Sequence, residues 1–228
     1  MLSTVSHVQG SIDDVKGVVR RALKSSAFVI MPIMVYAAVA APSLIAILLG
    51  EQWLPALPYF QFFCVIYALL PIHTTNLQAL NGLGRSDWFL KLEIIKKSYG
   101  LIILLFTAFV LKDAYWICVG LLASGIISTF VNAFPNSKII NYSYLEQIKD
   151  LAPILLITTL SAFFGIGIAK NPFIALSPIT CALAQFFLMS ITYVLLAAAI
   201  RIDTLQFIMT EIFDRLPFTH TSSKHNRK

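Results

Sequence analysis

The chain has 228 residues, of which 58% are apolar and only 12% charged, and its mean hydropathy is +0.80. The charged share is about half that of soluble domains, which argues against a water-soluble globular protein. The formal net charge is +6, but the basic residues are separated by apolar runs. This spacing argues against nucleic-acid binding and favours a membrane surface.

Six apolar stretches are long enough to cross a bilayer, which takes about 20 helical residues each. We predict transmembrane helices at 26–49, 58–81, 92–112, 114–135, 151–169 and 173–200. None carries Asp or Glu in its middle, as the cost of placing a carboxylate in lipid requires. The third helix is predicted to begin near Leu92 because the stems of Lys96 and Lys97 can snorkel. The fold class predicted for 26–200 is an all-α integral membrane domain.

The distribution of basic residues predicts the orientation of these helices. With six spans and a cytoplasmic N-terminus, 15 of the 17 Lys and Arg residues fall inside, and only Lys112 and Lys170 fall outside. This is a strong positive-inside bias, so both termini are predicted to be cytoplasmic. A cleaved signal peptide ending near "YAAVAAP" is the alternative, but the apolar run continues through Leu49, which favours a span.

Three segments are predicted outside the membrane. Residues 1–25 form a basic cytoplasmic segment, and 201–216 form an amphipathic helix on the inner membrane surface, with apolar residues at helical spacing. Residues 217–228 form a polar, basic tail that is predicted to be disordered.

The second span carries the first group of candidate site residues. Pro71 is predicted to kink it, and Thr74, Gln78 and Asn81 then follow at i, i+4 and i+7, on one helical stripe with His73 beside it. Such a stripe fits a substrate cavity that binds sugar or phosphate oxygens, or else hydrogen bonds between helices. His73 could relay protons, but no carboxylate partner is visible, which favours packing or a backbone hydrogen bond.

The basic loop that follows carries the second group. Its members are predicted to attract a pyrophosphate or another anionic headgroup: Arg85, Lys91, Lys96 and Lys97. Glu93 is predicted to pair with Lys97, one helical turn away. The glycines of "GLGRSD" are predicted to form a helix C-cap and turn.

Later helices carry small residues four apart, which indicate close helix packing: Gly120, Ser124, Ser128 and Asn132, then Ser161 and Gly165. Three cysteines are predicted to be buried, unpaired apolar residues: Cys64, Cys118 and Cys181. No enzyme motif, metal-ligand spacing or cofactor motif is present, so the chain is predicted not to be an enzyme and to need no cofactor.

Three stretches, in this order, resemble one known family. "TVSHVQGSIDDVKGVVRRALK" precedes a span with an early proline, Pro32. "LLGEQWLPALPYFQFF" carries a Gly-acidic-x-Trp turn at Gly50, Glu51 and Trp53. "NGLGRSDWFLKLEIIKK" carries a Gly-Arg-x-Asp loop at Gly84, Arg85 and Asp87. Over about residues 1–100 the chain resembles the flippases of bacterial O-antigen and exopolysaccharide export, in the multidrug/oligosaccharidyl-lipid/polysaccharide exporter superfamily.

The resemblance implies an inverted V of two helical lobes in the bacterial inner membrane. It implies the transport of a polyprenyl-diphosphate-linked oligosaccharide to the outer leaflet, for lipopolysaccharide, capsule or exopolysaccharide biosynthesis. The six spans match the ninth to fourteenth of fourteen-span members, so the chain is expected to be an incomplete lobe that is inactive alone. Its expected partners are the lipid-linked oligosaccharide, anionic lipids, the missing N-terminal part and polysaccharide assembly proteins.

Other functions stay open at this stage. A multidrug exporter or a peptidoglycan-precursor flippase has the same architecture, although drug exporters usually use a buried carboxylate, which is not predicted here. A non-transporting membrane adaptor of a polysaccharide assembly complex would fit the small-residue rows and the amphipathic segment. A membrane enzyme of polysaccharide assembly is disfavoured because no catalytic constellation is visible.

Overall fold

A computed structural model of the protein describes residues 12–169, 177–202 and 204–205. This part of the chain is helical and contains no strand, which confirms the all-α fold class. The α-helices are α1 (Ile12–Val39), α2 (Ala41–Leu48), α3 (Leu57–Ala68), α4 (Leu70–Gly82), α5 (Ser86–Phe106), α6 (Ala114–Ile139), α7 (Tyr144–Ala169) and α8 (Pro178–Ala199). A 3-10 helix (Glu51–Ala56) precedes α3, and a π-helical turn (Thr107–Leu111) follows α5.

Six helical stretches of the described chain are long and apolar enough to cross a membrane. They are Ile12–Val39, Glu51–Gly82, Ser86–Leu111, Ala114–Ile139, Tyr144–Ile168 and Pro178–Ala199. The helices extend beyond several predicted spans. Residues 12–25, for example, are continuous in α1 with residues 26–39 of the first predicted span, which is interrupted at Ala40 before α2. Helix α7 begins at Tyr144, seven residues before the predicted fifth span. The positions of the membrane boundaries along these helices stay predictions.

A proline and a glycine account for two of the breaks between helices. The second span is divided at Leu69, between α3 and α4, because Pro71 has no N–H to continue the helical hydrogen bonds. Gly84 adopts a φ of 69° just after α4, a left-handed conformation that glycine adopts at little cost. The kink at Pro71 and the turn at Gly84 are therefore confirmed.

Helix α1 lies at the centre of the bundle and packs against α3, α4 and α7. Val19, Leu23 and Ala27 of α1 are fully buried, and they share one apolar cluster with Ile154 and Ile157 of α7. Helix α6 packs against α3, α4 and α5, and α8 packs mainly against α7. Helix α5 is peripheral, because its main contacts are with α4, α6 and the adjoining π-turn.

Ion pairs join the start of α1 to the start of α7. Lys16 lies 3.1 Å from Glu146, while Arg20 and Lys24 both approach Asp150, Lys24 at 3.7 Å. Asp150 is nearly buried and also accepts a 2.8 Å hydrogen bond from Tyr142. Burial, together with this bond to Asp150, raises the pKa of Tyr142, so its hydroxyl stays a donor at physiological pH. The N-terminal turns of α1 and the α6–α7 turn thus share one end of the bundle, which we call the inner end.

Small residues allow close contact where the sequence predicts it. A Cβ added at Gly120 would lie 2.9 Å from side-chain carbons of Ile103 and Thr107, so α5 and α6 approach closely there. A Cβ added at Gly165 would overlap Met189 of α8. The three cysteines are buried and unpaired, as predicted.

The structure describes only the first residues of the predicted C-terminal amphipathic helix. Ile202 is buried, and Leu205 packs against the same apolar cluster as α1. Residues 206–216 of the predicted amphipathic helix and the tail at 217–228 lie outside the described residues, as do residues 1–11 of the N-terminal segment.

Candidate functional site

A cavity of about 570 Å³ lies between α4, α5 and α6. We call it the inner cavity. Its polar lining among the described residues is His73, Glu93, Lys96, Lys97, Ser124, Ser128 and Asn132. Lys96 is ten residues from the start of α5 and His73 nine from the end of α4, so both lie about 15 Å along their helices. The cavity therefore places polar groups well inside the bundle from its inner end.

His73 and Asn132 meet in the wall of this cavity. The Nδ2 of Asn132 lies 3.1 Å from the Nδ1 of His73, across the α4–α6 contact. Asn132 is fully buried, and its Oδ1 has no hydrogen-bond partner among the described residues. The sequence predicted packing or a backbone hydrogen bond for His73, and the hydrogen bond that the structure shows is to a side-chain amide. A buried amide oxygen without a donor costs about 1–3 kcal/mol, so a ligand hydroxyl that donates to it would be favoured.

Two lysines of α5 line the inner cavity, and they differ in whether a carboxylate of the described residues pairs with them. Lys96 pairs with Glu93, three residues earlier. The predicted pair of Glu93 with Lys97 is therefore wrong. Residues three apart and residues four apart on a helix can both form ion pairs, and Glu93 pairs with the residue three positions later. Lys97 forms no ion pair within the described part of the chain. The inner cavity thus contains one lysine whose charge is not neutralised by a carboxylate there.

The other two predicted headgroup residues lie outside the cavity lining. Arg85 pairs with Asp87 at 3.3 Å, and both side chains are about half exposed. The ammonium of Lys91 lies 5.6 Å from the ring centroid of Trp88, in the geometry of a cation–π contact. Of the four predicted headgroup residues, Lys96 and Lys97 therefore line the inner cavity. Arg85 and Lys91 lie at the surface near the start of α5.

The predicted polar residues of α4 do not all line the inner cavity. Only His73 of that group lines the inner cavity; Thr74, Gln78 and Asn81 are half-buried and lie outside its lining. Thr74 donates its hydroxyl to the Leu70 carbonyl at 2.9 Å, a bond within its own helix. That these three residues contact a substrate stays a prediction.

The small-residue row of α6 has a second role in addition to packing. Ser124 and Ser128 line the inner cavity, and the Ser128 hydroxyl lies 2.6 Å from that of Tyr99 on α5. The row faces α5 from Gly120, beside Ile103, to Ser128, beside Tyr99, whereas Asn132 meets α4. Its hydroxyl groups therefore add hydrogen-bonding capacity to the same wall that carries Asn132.

Three buried amides connect α4, α6 and α7 near the inner end. Asn76 donates to the Gln147 side chain at 2.8 Å, and Asn136 donates to the Asn76 side chain at 2.7 Å. Asn76 is not one of the candidate site residues that the sequence identified on this helix. Its partners lie 60 and 71 residues away, so no local pattern could have identified them. This network fixes α4 against α6, and thereby positions His73 relative to Asn132.

Comparison with known proteins gives one match. Residues 1–58 match a family model described as "Polysaccharide biosynthesis protein". No curated protein and no solved structure gives a significant match. The matched segment contains the first of the three stretches that resemble flippases and most of the second. The match and the six apolar helices support a membrane protein of polysaccharide biosynthesis.

Proposed function

We propose that this chain is part of a transporter that moves a polyprenyl-diphosphate-linked oligosaccharide from the inner to the outer leaflet for O-antigen, capsule or exopolysaccharide synthesis. The observation that carries the proposal is the chemistry of the inner cavity. It combines a lysine without a carboxylate partner among the described residues, Lys97, with a buried amide oxygen that lacks a donor, on Asn132. A diphosphate and its first sugar present the complementary groups.

Each part of the substrate would meet a suitable part of the protein. A diphosphate is attracted to the Lys97 ammonium, and charge-assisted bonds of this kind are about twice as strong as neutral ones. Sugar hydroxyls can donate to Asn132 and exchange hydrogen bonds with Ser124 and Ser128. The polyprenyl chain stays in lipid beside α5 and the π-turn, whose outer faces are apolar, with Ile102 of α5 and Phe109 of the π-turn about 70% exposed. Such a site needs no covalent step, so the proposed role is transport and not catalysis.

The proposed transporter needs further protein to complete this site. The inner cavity lies at the edge of the bundle, because α5 has its main contacts only with α4, α6 and the π-turn. Transporter sites are formed between two repeats. We therefore propose that another part of the transporter supplies the facing wall, and that this chain corresponds to an incomplete lobe. Anionic lipids and polysaccharide assembly proteins are the remaining proposed partners.

Complementation of a flippase-deficient bacterial strain tests the proposal. We expect the chain alone not to restore surface polysaccharide, and the chain with its N-terminal transporter part to restore it. Lipid-linked oligosaccharide on the cytoplasmic leaflet should fall at the same time. Restoration by the chain alone would refute the incomplete lobe, and failure of both, with normal protein levels, would refute the flippase function.

A further inference from the structure

A second cavity, of about 410 Å³, lies at the opposite end of the bundle, and we call it the outer cavity. It is bordered by the end of α1, α2, the 3-10 helix and the start of α8. Val39, in its lining, is 23 residues from Lys16 on α1, which corresponds to about 35 Å along the helix. The outer cavity is therefore far from the ion pairs of the inner end, and none of its lining residues lines the inner cavity.

A buried amide with an unsatisfied oxygen lines the outer cavity. Gln185 is 1% exposed, and its Nε2 donates to the Gly165 carbonyl at 3.2 Å. Because a carbonyl can only accept, this bond fixes the orientation of the amide. The Oε1 of Gln185 has no hydrogen-bond partner among the described residues. A buried acceptor in this state calls for a donor beyond the described residues.

The charges around the cavity restrict what that donor can belong to. Glu51 contributes a carboxylate to the lining, so a bare anion would meet both this charge and the Gln185 oxygen. Ser177, the N-cap of α8, and Pro178, its first residue, also line the cavity. A helix N-terminus carries a partial positive charge, which disfavours a bare cation. A neutral ligand that offers both hydroxyl donors and oxygen acceptors satisfies all of these groups.

We propose that the outer cavity binds a sugar ring, with one hydroxyl donating to the Gln185 oxygen and another to the Glu51 carboxylate. Ser43 can contribute its hydroxyl to the same ring, and the apolar Pro42 and Leu54 cover the faces of the ring. The volume is within the range of small-ligand sites. This inference rests on the proposed function, because it makes the outer cavity a second site for the oligosaccharide after its passage across the membrane.

Cys181 lines the outer cavity and provides a reporter for its occupancy. The test uses the full chain in detergent with Cys64→Ala and Cys118→Ala, so that Cys181 is the sole cysteine. Its rate of reaction with a small methanethiosulfonate reagent is measured with increasing D-glucose, D-galactose or N-acetyl-D-glucosamine. We expect at least one of these sugars to slow the reaction saturably.

Two variants and a control decide whether the protection comes from the proposed contacts. Gln185→Leu should raise the half-protecting sugar concentration about tenfold, the effect of losing one buried hydrogen bond. Glu51→Gln should raise it in the same direction, and Glu51 is exposed, so folding is not at risk. Gln52→Leu changes an exposed residue outside the lining and should have no effect. Equilibrium dialysis with radiolabelled sugar repeats the comparison without the thiol.

Absence of binding for all three sugars by both methods, or equal binding by Gln185→Leu, Glu51→Gln and Gln52→Leu, would overturn the inference. The outcome is separable from that of the flippase proposal. Lys97→Gln, in the inner cavity, should leave the protection of Cys181 unchanged even though it impairs transport. Sugar binding, with no transport even when the N-terminal transporter part is present, would refute only the flippase function. Transport by the two parts together, without sugar binding, would refute only the outer sugar site.

Discussion

Tyr193 of α8 donates its hydroxyl to the carbonyl oxygen of Phe28 in α1, at 2.8 Å. Phe28 precedes Pro32 by four residues, so its carbonyl is the one that the N–H of residue 32 would satisfy in a regular helix. Proline has no N–H. The tyrosine therefore replaces the missing helical donor, and one side chain both stabilises the proline-containing helix and holds α8 against it.

Tyr193→Phe should lower the free energy of unfolding by about 1–3 kcal/mol, because it leaves the buried Phe28 carbonyl without a donor. Tyr36→Phe is the matched control. Tyr36 also donates across the α1–α8 contact, to Ala182 at 3.2 Å, but that carbonyl lies inside a regular helix and keeps its backbone donor. Its loss should be smaller. SDS titration in mixed micelles, followed by circular dichroism, measures both.

A double-mutant cycle checks the cause. Pro32→Ala restores an N–H at position 32, so Tyr193→Phe should cost less in that background than in the native chain. An equal cost in both backgrounds would show that the tyrosine acts by packing alone.

Asp150→Asn should destabilise the inner end by about 1–3 kcal/mol, since it removes the carboxylate shared by Arg20, Lys24 and Tyr142. Glu146→Gln is the comparison. Its side chain is 45% exposed, forms one ion pair among the described residues, with Lys16, and accepts a 3.0 Å hydrogen bond from the Ser143 N–H. Exposed ion pairs contribute at most about 1 kcal/mol. Unfolding midpoints in detergent measure both. If the two changes cost the same, Asp150 has no special role in joining α1 to α7.

Gly120→Ala should separate α5 from α6, because the added methyl group meets two β-branched side chains that cannot easily move away. We expect a loss of about 1–3 kcal/mol from overpacking, partly offset by the better helix propensity of alanine. Gly125→Ala, on the same helix, has its nearest neighbour at 4.0 Å and should be neutral or stabilising. A loss of the same size at Gly125 would mean that helix packing is not what requires Gly120.

Cysteine labelling in spheroplasts tests the orientation. In a background without native cysteines, a membrane-impermeant maleimide should label Gln52→Cys directly. It should label Asn141→Cys, in the exposed turn after α6, only after permeabilisation, because the positive-inside bias places that turn in the cytoplasm. The reverse labelling pattern would show that the topology is inverted. Labelling of both sites from outside would contradict the odd number of membrane crossings predicted between residues 52 and 141.

Hydropathy and local rules were sufficient for much of the fold. The six apolar helices follow from their length and lack of central carboxylates, and the break at Pro71 and the turn at Gly84 follow from backbone chemistry. These features depend on residues close in sequence. The close approach at Gly120 could be predicted too, because small residues four apart lie on one helix face.

The site was only partly predictable, because residues that share one side of a helix do not reveal whether that side faces a cavity, another helix or lipid. The spacing of Thr74, Gln78 and Asn81 puts them on one side of α4, yet only the neighbouring His73 lines the inner cavity. The same limit applies to Glu93, whose spacing to Lys96 and Lys97 permits either pair. The bond between His73 and Asn132 spans 59 residues and depends on how α4 packs against α6.

Binding of undecaprenyl diphosphate to the detergent-purified chain tests the central claim, that the inner cavity recognises a lipid diphosphate. We predict tighter binding than for undecaprenol, and a loss of about tenfold or more in Lys97→Gln, the effect of removing one charge-assisted bond. Lys138→Gln, which removes an exposed lysine of α6 outside the lining, should bind as the native chain does. Equal binding of the two lipids, or equal losses in both lysine variants, would contradict the account.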